Sequence, residues 1–141
     1  MSIAGIKSGN AYRPSEAEPF MCERQQHYFR SKLETWKNDI LREAKATLGS
    51  LASESVGYAD ATDRASNETD RSIELRTRDR QRKLIGKIDA ALRRLDEGEY
   101  GYCEETGEPI NVRRLDARPI ATMTVEAQER HERRERVHRP D

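Results

Sequence analysis

Cysteine is the residue type in this chain best suited to chemistry, and Cys103 stands where such chemistry would begin. In the stretch YGYCEETGEPI, residues 100–110, it opens what reads as half of a zinc knuckle. A Cys-x-x-Cys pair would need a second thiolate three residues on, where the chain offers Thr106 followed by Gly107. On this stretch alone, a depleted zinc site, a redox cysteine and a turn that never needed metal all remain open. Nothing in the sequence beside Cys103 argues for an acidic thiol. Cys22 reads as an ordinary helix-start residue, and both thiols are expected to be free in a reducing cytoplasm. The histidines, His27, His131 and His138, read as solvated side chains; zinc shared between Cys103 and His131 or His138 would need unusual geometry.

The other residues with chemical potential are charged. Asp60 and Asp63 fall in VGYADATDRAS, residues 56–66, where Gly57 permits a left-handed helix end and Asp60, Thr62, Asp63 and Ser66 can each cap a new helix. Downstream, ELRTRDRQRKLIGK (residues 74–87) taken together with Arg71 carries seven cations against Glu74 and Asp79, a locally basic flank. Such runs are usually solvated helix faces, but a basic stripe leading away from an acidic turn also makes a docking surface. There is no Gly-rich phosphate loop, no Gly-x-Ser-x-Gly and no His-Glu-x-x-His, so no catalytic site is expected.

The elements that would position these residues follow from periodicity. Phe29, Leu33, Trp36, Ile40, Ala44, Thr47 and Leu51 recur at steps of three and four between Met21 and Val56. Ile73, Thr77, Leu84, Ile88, Ala91 and Leu95 do the same between Ser66 and Glu97. Two matching stripes predict a mainly α chain: a long antiparallel coiled-coil hairpin over 21–97 with its tip at 57–65, each arm about 45–50 Å long at the helical rise, projecting as a rod. Residues 1–20 lack a period and read as a loose arm. Residues 98–141, with Gly98, Gly101, Gly107, Pro109 and Pro119, predict a small globular domain of tight turns with a small β-hairpin. A polar C-terminal helix is expected to start after Thr124. The composition fits: of 141 residues, 37% are charged against 34% hydrophobic, lean for a thick core. Lys plus Arg and Asp plus Glu number 26 each, so no global pull toward nucleic acid exists, and no apolar run approaches the roughly 20 residues of a membrane span.

Taken in order, DATDRAS, ELRTRDRQRKLIGKID and GYCEETGEPINVRRLDARP resemble the DksA/TraR family of bacterial transcription factors over about residues 20–130. The tip pattern Asp-x-x-Asp-x-Ala matches at Asp60, Asp63 and Ala65. In most members the C-terminal block is a four-cysteine zinc finger. The aligned positions here are Cys103, Thr106, Thr124 and Ala127, so the resemblance is to the cysteine-poor paralogues that keep this fold as a degenerate, zinc-independent finger with no metal. A cluster of Tyr100, Tyr102, Ile110, Val112, Leu115, Ile120, Met123 and Val125, with Thr124 capping the last helix, is expected to hold the domain instead.

The resemblance implies a cytoplasmic, monomeric regulator rather than an enzyme. Its partner would be RNA polymerase, entered through the secondary channel, without sequence-specific DNA binding. Asp60 and Asp63 would approach the polymerase active site with Ala65 kept small, and Arg76, Arg80 and Lys83 would touch the channel rim. Guanosine tetraphosphate (ppGpp) would be an effector rather than a tightly bound cofactor. It would meet Leu84, Lys87, Arg118 and Gln128, the last replacing a lysine usual in the family. Repression of stable-RNA promoters and activation of biosynthetic ones would follow. A transcript-cleavage factor with an acidic coiled-coil tip, and a plain helical adaptor, are the competing readings.

Overall fold

A computed structural model describes residues 12–54 and 61–138, excluding the side chains of 50–54, 61–65 and 138. It contains α1 (Glu23–Glu54), α2 (Ala61–Glu97), α3 (Val112–Ala117) and α4 (Val125–His138). No strand occurs among the described residues, where a single antiparallel bridge joins Tyr102 and Pro109; the β-hairpin expected there reduces to that bridge. Residues 33–90 form one unit, and the chain on either side of them forms a second.

In the 33–90 unit, α1 and α2 pair as the two arms of an antiparallel coiled coil. Lys37 binds Asp89 at 2.7 Å and Gln81 reaches Glu43 at 3.4 Å, so contacts climb one arm as they descend the other. Leu33, Ile40 and Ile88 are buried in the seam, with Trp36, Ala44, Thr47, Thr77 and Leu84 half-buried beside them. These are the positions that the three-and-four spacing marks out. Ile73 is the exception: it is 54% exposed, because the seven-residue repeat that buries Ile88 runs back through Gln81 and Glu74. The seam is therefore polar in this stretch, and Glu74 Oε2 and Gln81 Oε1 are buried without a partner. Helix α2 also starts earlier than expected. With no proline or glycine in ATDRAS to stop it, it extends to Ala61, and Thr62, Asp63 and Ser66 lie within the helix rather than capping it.

The second unit is built on the Cys22-proximal start of α1 and the end of α2. Gly98, at φ 76°, ends α2 in a left-handed turn, letting the N–H groups of Glu99 and Tyr100 both reach the Arg94 carbonyl (2.8 and 3.1 Å). Tyr100 is then driven inward against Phe29, ring centroids 5.5 Å apart, and its hydroxyl donates to the Pro119 carbonyl at 2.8 Å. Ile110, Val112, Leu115, Ala121 and Ala127 complete the core. Of the apolar cluster expected here, Tyr102 and Val125 point outward and Ile120 and Met123 are half-buried, since Val125 takes the first position of α4, on its exposed side.

The stretch read as a loose arm is folded onto this unit from Tyr12 onward. Fully buried Gln25 accepts from the Met21 N–H (2.8 Å) and donates to the Ser15 carbonyl (3.2 Å). Those contacts hold Met21 at φ 53°, a conformation side chains rarely adopt. Phe20 lies edge-on to Tyr102 and over Gly101, where an added Cβ would meet the ring at 3.0 Å.

Candidate functional site

The degenerate finger is the most chemically specific arrangement in the second unit. The turn after Cys103 is closed by Gly107 N–H to the Cys103 carbonyl (2.8 Å) and Cys103 N–H to the Glu108 carbonyl (2.7 Å), with Gly107 at φ 76°. Glu104 N–H donates to the Thr122 carbonyl at 2.9 Å, drawing the start of α4 to the same turn. Burial pushes the Cys103 thiol up, but hydrogen bonds from the Thr106 hydroxyl and from the backbone of Thr124, Thr106 and Glu105 outweigh it and lower the thiol from 9.0 to about 7. This corrects the sequence reading of an unremarkable thiol. The donors are mostly backbone groups, which leave no mark on residue identity.

The four positions that the resemblance aligns with zinc ligands, Cys103, Thr106, Thr124 and Ala127, do come together here, but not as a ligand set. The Thr106 hydroxyl accepts from Glu108 N–H at 3.2 Å, and the Thr124 hydroxyl accepts from Ala127 N–H at 3.2 Å as the cap of α4. Ala127 presents a fully buried methyl group. One thiol, two hydroxyls engaged by the backbone and a methyl do not fit a tetrahedral thiolate site. Among the described residues no group of three His, Cys, Asp or Glu is placed to hold a metal ion. His131 instead pairs with Glu135 on the exposed side of α4.

The basic flank occupies the outward face of α2. Arg76, Arg80, Lys83 and Lys87 are exposed and recur at steps of four, three and four, aligning on one face. Asp79 is drawn low by hydrogen bonds from Arg82 (2.8 Å) and Lys83 (3.1 Å), so its own neighbours neutralise the acid within the run. Arg80 touches Thr77 at 3.4 Å, and Arg76 has no hydrogen-bond or ion-pair partner among the described residues. Asp60 lies outside the described residues. Asp63 and Ala65 fall in the first five residues of α2, with their side chains likewise outside the description.

The four residues assigned to ppGpp are divided between the units. Leu84 is half-buried and Lys87 exposed on α2; Arg118 is the exposed C-cap of α3; Gln128 on α4 donates to Glu132 at 3.1 Å. Helix α3 is absent from the sequence reading, although Asn111 is its signal: the Asn111 side chain accepts from Arg113 N–H at 2.8 Å as N-cap, and Pro119 follows the end. Asp116 ties α3 to α1. It accepts from Tyr28 (2.5 Å) and Lys32 (2.7 Å), while Lys32 also reaches the Asp116 carbonyl at 2.6 Å. Burial raises the Asp116 carboxyl, but the Lys32 and Tyr28 hydrogen bonds prevail and hold it below the usual range.

Comparisons with known proteins fit this geometry. Residues 25–95 match the family "DnaK suppressor protein DksA, N-terminal domain", and residues 98–133 match the "Prokaryotic dksA/traR C4-type zinc finger". The chain is 68% identical over 130 residues, 92% of each chain, to a Caulobacter vibrioides protein named RNA polymerase-binding transcription factor DksA. It is 38% identical over 136 residues to the Escherichia coli K12 protein of that name, covering 96% of this chain and 90% of the other. Among solved structures, transcription factor DksA2 from Pseudomonas aeruginosa superposes with a TM-score of 0.79 at 44% identity, covering 85% of this chain and 95% of that one.

Proposed function

Because the chain belongs to the DksA/TraR family, we propose that it binds RNA polymerase and regulates transcription initiation, working through contact rather than through catalysis of its own. The observation that carries this reading is the 68% identity, over 92% of both chains, with a protein named for RNA polymerase binding. The antiparallel hairpin and the exposed cations on α2 support it, since they supply an extended element with a face that suits an acidic protein surface.

In the fuller proposal the hairpin enters the secondary channel, Asp60 and Asp63 act near the polymerase active site, Ala65 leaves room for that placement, and Arg76, Arg80 and Lys83 contact the rim. ppGpp acts with Leu84, Lys87, Arg118 and Gln128; the two exposed cations, Lys87 and Arg118, suit phosphates, whereas Gln128 brings no charge. The protein acts as a cytoplasmic monomer without sequence-specific DNA binding, and its finger folds without zinc. The donor set at Cys103, Thr106, Thr124 and Ala127 supports that last point.

Transcription in vitro from a ribosomal promoter tests the mechanism. Wild type should inhibit, while Asp60→Asn and Asp63→Asn should bind polymerase within a few fold yet fail to inhibit. Normal inhibition by both variants would leave Asp60 and Asp63 no role beyond capping a helix. Transcript cleavage in a stalled complex would favour the cleavage-factor alternative. Stoichiometric zinc in the purified protein, or loss of structure with a chelator, would overturn zinc independence.

A further inference from the structure

Helix α3 has six residues, too few to hold its own shape, so its placement is decided by what binds it. Val112 and Leu115 bury its apolar side, which fixes its depth more than its rotation. Direction comes from α1. The Lys32 ammonium donates to the Asp116 carboxylate (2.7 Å) and to the Asp116 carbonyl (2.6 Å), one of the carbonyls that a helix end leaves without an intrahelical donor. The Tyr28 hydroxyl donates to the same carboxylate at 2.5 Å. Two residues further on the chain leaves α3 at Arg118, and there it is held again. The Arg118 N–H donates to the Arg114 carbonyl (2.8 Å), the Arg118 carbonyl accepts from Ala121 N–H (2.9 Å), and the next carbonyl, that of buried Pro119, accepts from the Tyr100 hydroxyl (2.8 Å). The Arg118 side chain itself is exposed. A fixed backbone under an exposed guanidinium lowers the ordering cost of meeting an anion.

We propose that Lys32 is a positioning residue for ppGpp: by joining the Asp116 carboxylate and carbonyl to α1, it sets the rotation of α3 and so holds the Arg118 guanidinium where it meets a phosphate of the effector. This rests on the ppGpp reading above. The chemistry of Lys32 suits the task. An ammonium at a helix C-terminus is favoured by the unsatisfied carbonyls there, and its three donors can serve a carboxylate and a carbonyl together, which no apolar residue does. Its Nζ also lies 5.6 Å from the centre of the Tyr28 ring, so the second donor to Asp116 steadies the first. The Lys32 and Asp116 side chains are 37% and 22% exposed, so water competes for the pair only in part. Directional contacts of this kind add orientation to the apolar burial that already anchors α3.

The deciding variant is Lys32→Met, which keeps the length of the stem and removes the donors. A ppGpp titration of promoter inhibition is read with the full chain and RNA polymerase, well below the melting temperature of each variant, beside inhibition without ppGpp and thermal unfolding. Ile40→Val, a core change in the other unit, supplies a variant that loses stability without touching α3. The proposal expects Lys32→Met to need about fivefold more ppGpp, the cost of ordering one rotamer-rich side chain, with inhibition in the absence of ppGpp within about twofold of wild type. Ile40→Val should leave the titration where it is. Tyr28→Phe, which removes one donor to Asp116 and leaves Lys32 in place, should shift the titration in the same direction by less, and it carries the test if Lys32→Met fails to fold. A titration unmoved by both Lys32→Met and Tyr28→Phe would overturn the positioning role while leaving the ppGpp reading intact. Equal shifts for Lys32→Met and Ile40→Val would overturn it too, reducing the contact to a structural anchor. Absence of any ppGpp response in wild type would overturn the ppGpp reading and this proposal together.

Discussion

The acidified thiol of Cys103 makes the stability of the protein depend on pH in a way that Cys103→Ser should remove. Serine keeps the size and the donors around it but does not ionise. The folded thiol lies at about 7 against an ordinary 9.0. An acid lowered by folding contributes stability above its unfolded value and loses it as the pH falls through the folded one. Below about pH 6 the two proteins should therefore differ only by packing, about 1 kcal/mol or less. Around pH 8 the thiolate adds about 1 kcal/mol, and above pH 9 the gain rises toward roughly 3 kcal/mol, at about 1.4 kcal/mol per tenfold change in acidity. Urea unfolding of both proteins across this range, under a reductant, reads the difference directly, and thiolate absorbance of wild type minus variant locates the titration itself. A stability difference that does not change with pH, or a titration midpoint near 9, would refute the argument that backbone donors overcome burial at this turn.

Asp116 gives the opposite limb of the pH profile. Its lowered carboxyl contributes stability throughout the neutral range and loses it as the pH falls through the depressed value, so Asp116→Asn should cost about 1–3 kcal/mol near neutrality and flatten the acid side of the urea midpoint curve. Gly86 is exposed in the interior of α2, where an added Cβ meets nothing, so Gly86→Ala should stabilise the fold by about 0.5–1 kcal/mol in thermal or urea unfolding. Gln128→Lys should shift a ppGpp titration of promoter inhibition to roughly fivefold lower concentration, and Lys87→Ala or Arg118→Ala should abolish the ppGpp increment without affecting basal inhibition.

The helices were legible because Phe29, Leu33, Trp36 and Ile40 on one arm, and Leu84, Ile88, Ala91 and Leu95 on the other, repeat at a spacing only a packed helix explains. Ile73 was misplaced because hydrophobicity outranked register: the buried Ile88 fixes the seven-residue step, and that step lands on Glu74. The segment from Tyr12 to Cys22 has no period to read, since its order comes from tertiary partners, Gln25 and the Gly101 backbone that admits Phe20. Helix α3 carried a readable cap in Asn111 and a readable stop in Pro119, but its six residues are too few to display a stripe. At the finger, the ligand positions could be counted from the sequence. The acidity of the remaining thiol could not, because its largest favourable partners include the N–H groups of a turn that only the fold creates.

The central claim is that the segment carrying Asp60 and Asp63 works inside RNA polymerase. A photo-crosslinking residue in place of Thr62, mixed with core enzyme and mapped after irradiation, tests this most directly. Crosslinks to the walls of the secondary channel beside the active site are the predicted result. Crosslinks confined to the outer surface of the polymerase, from a protein that still binds it, would contradict the account.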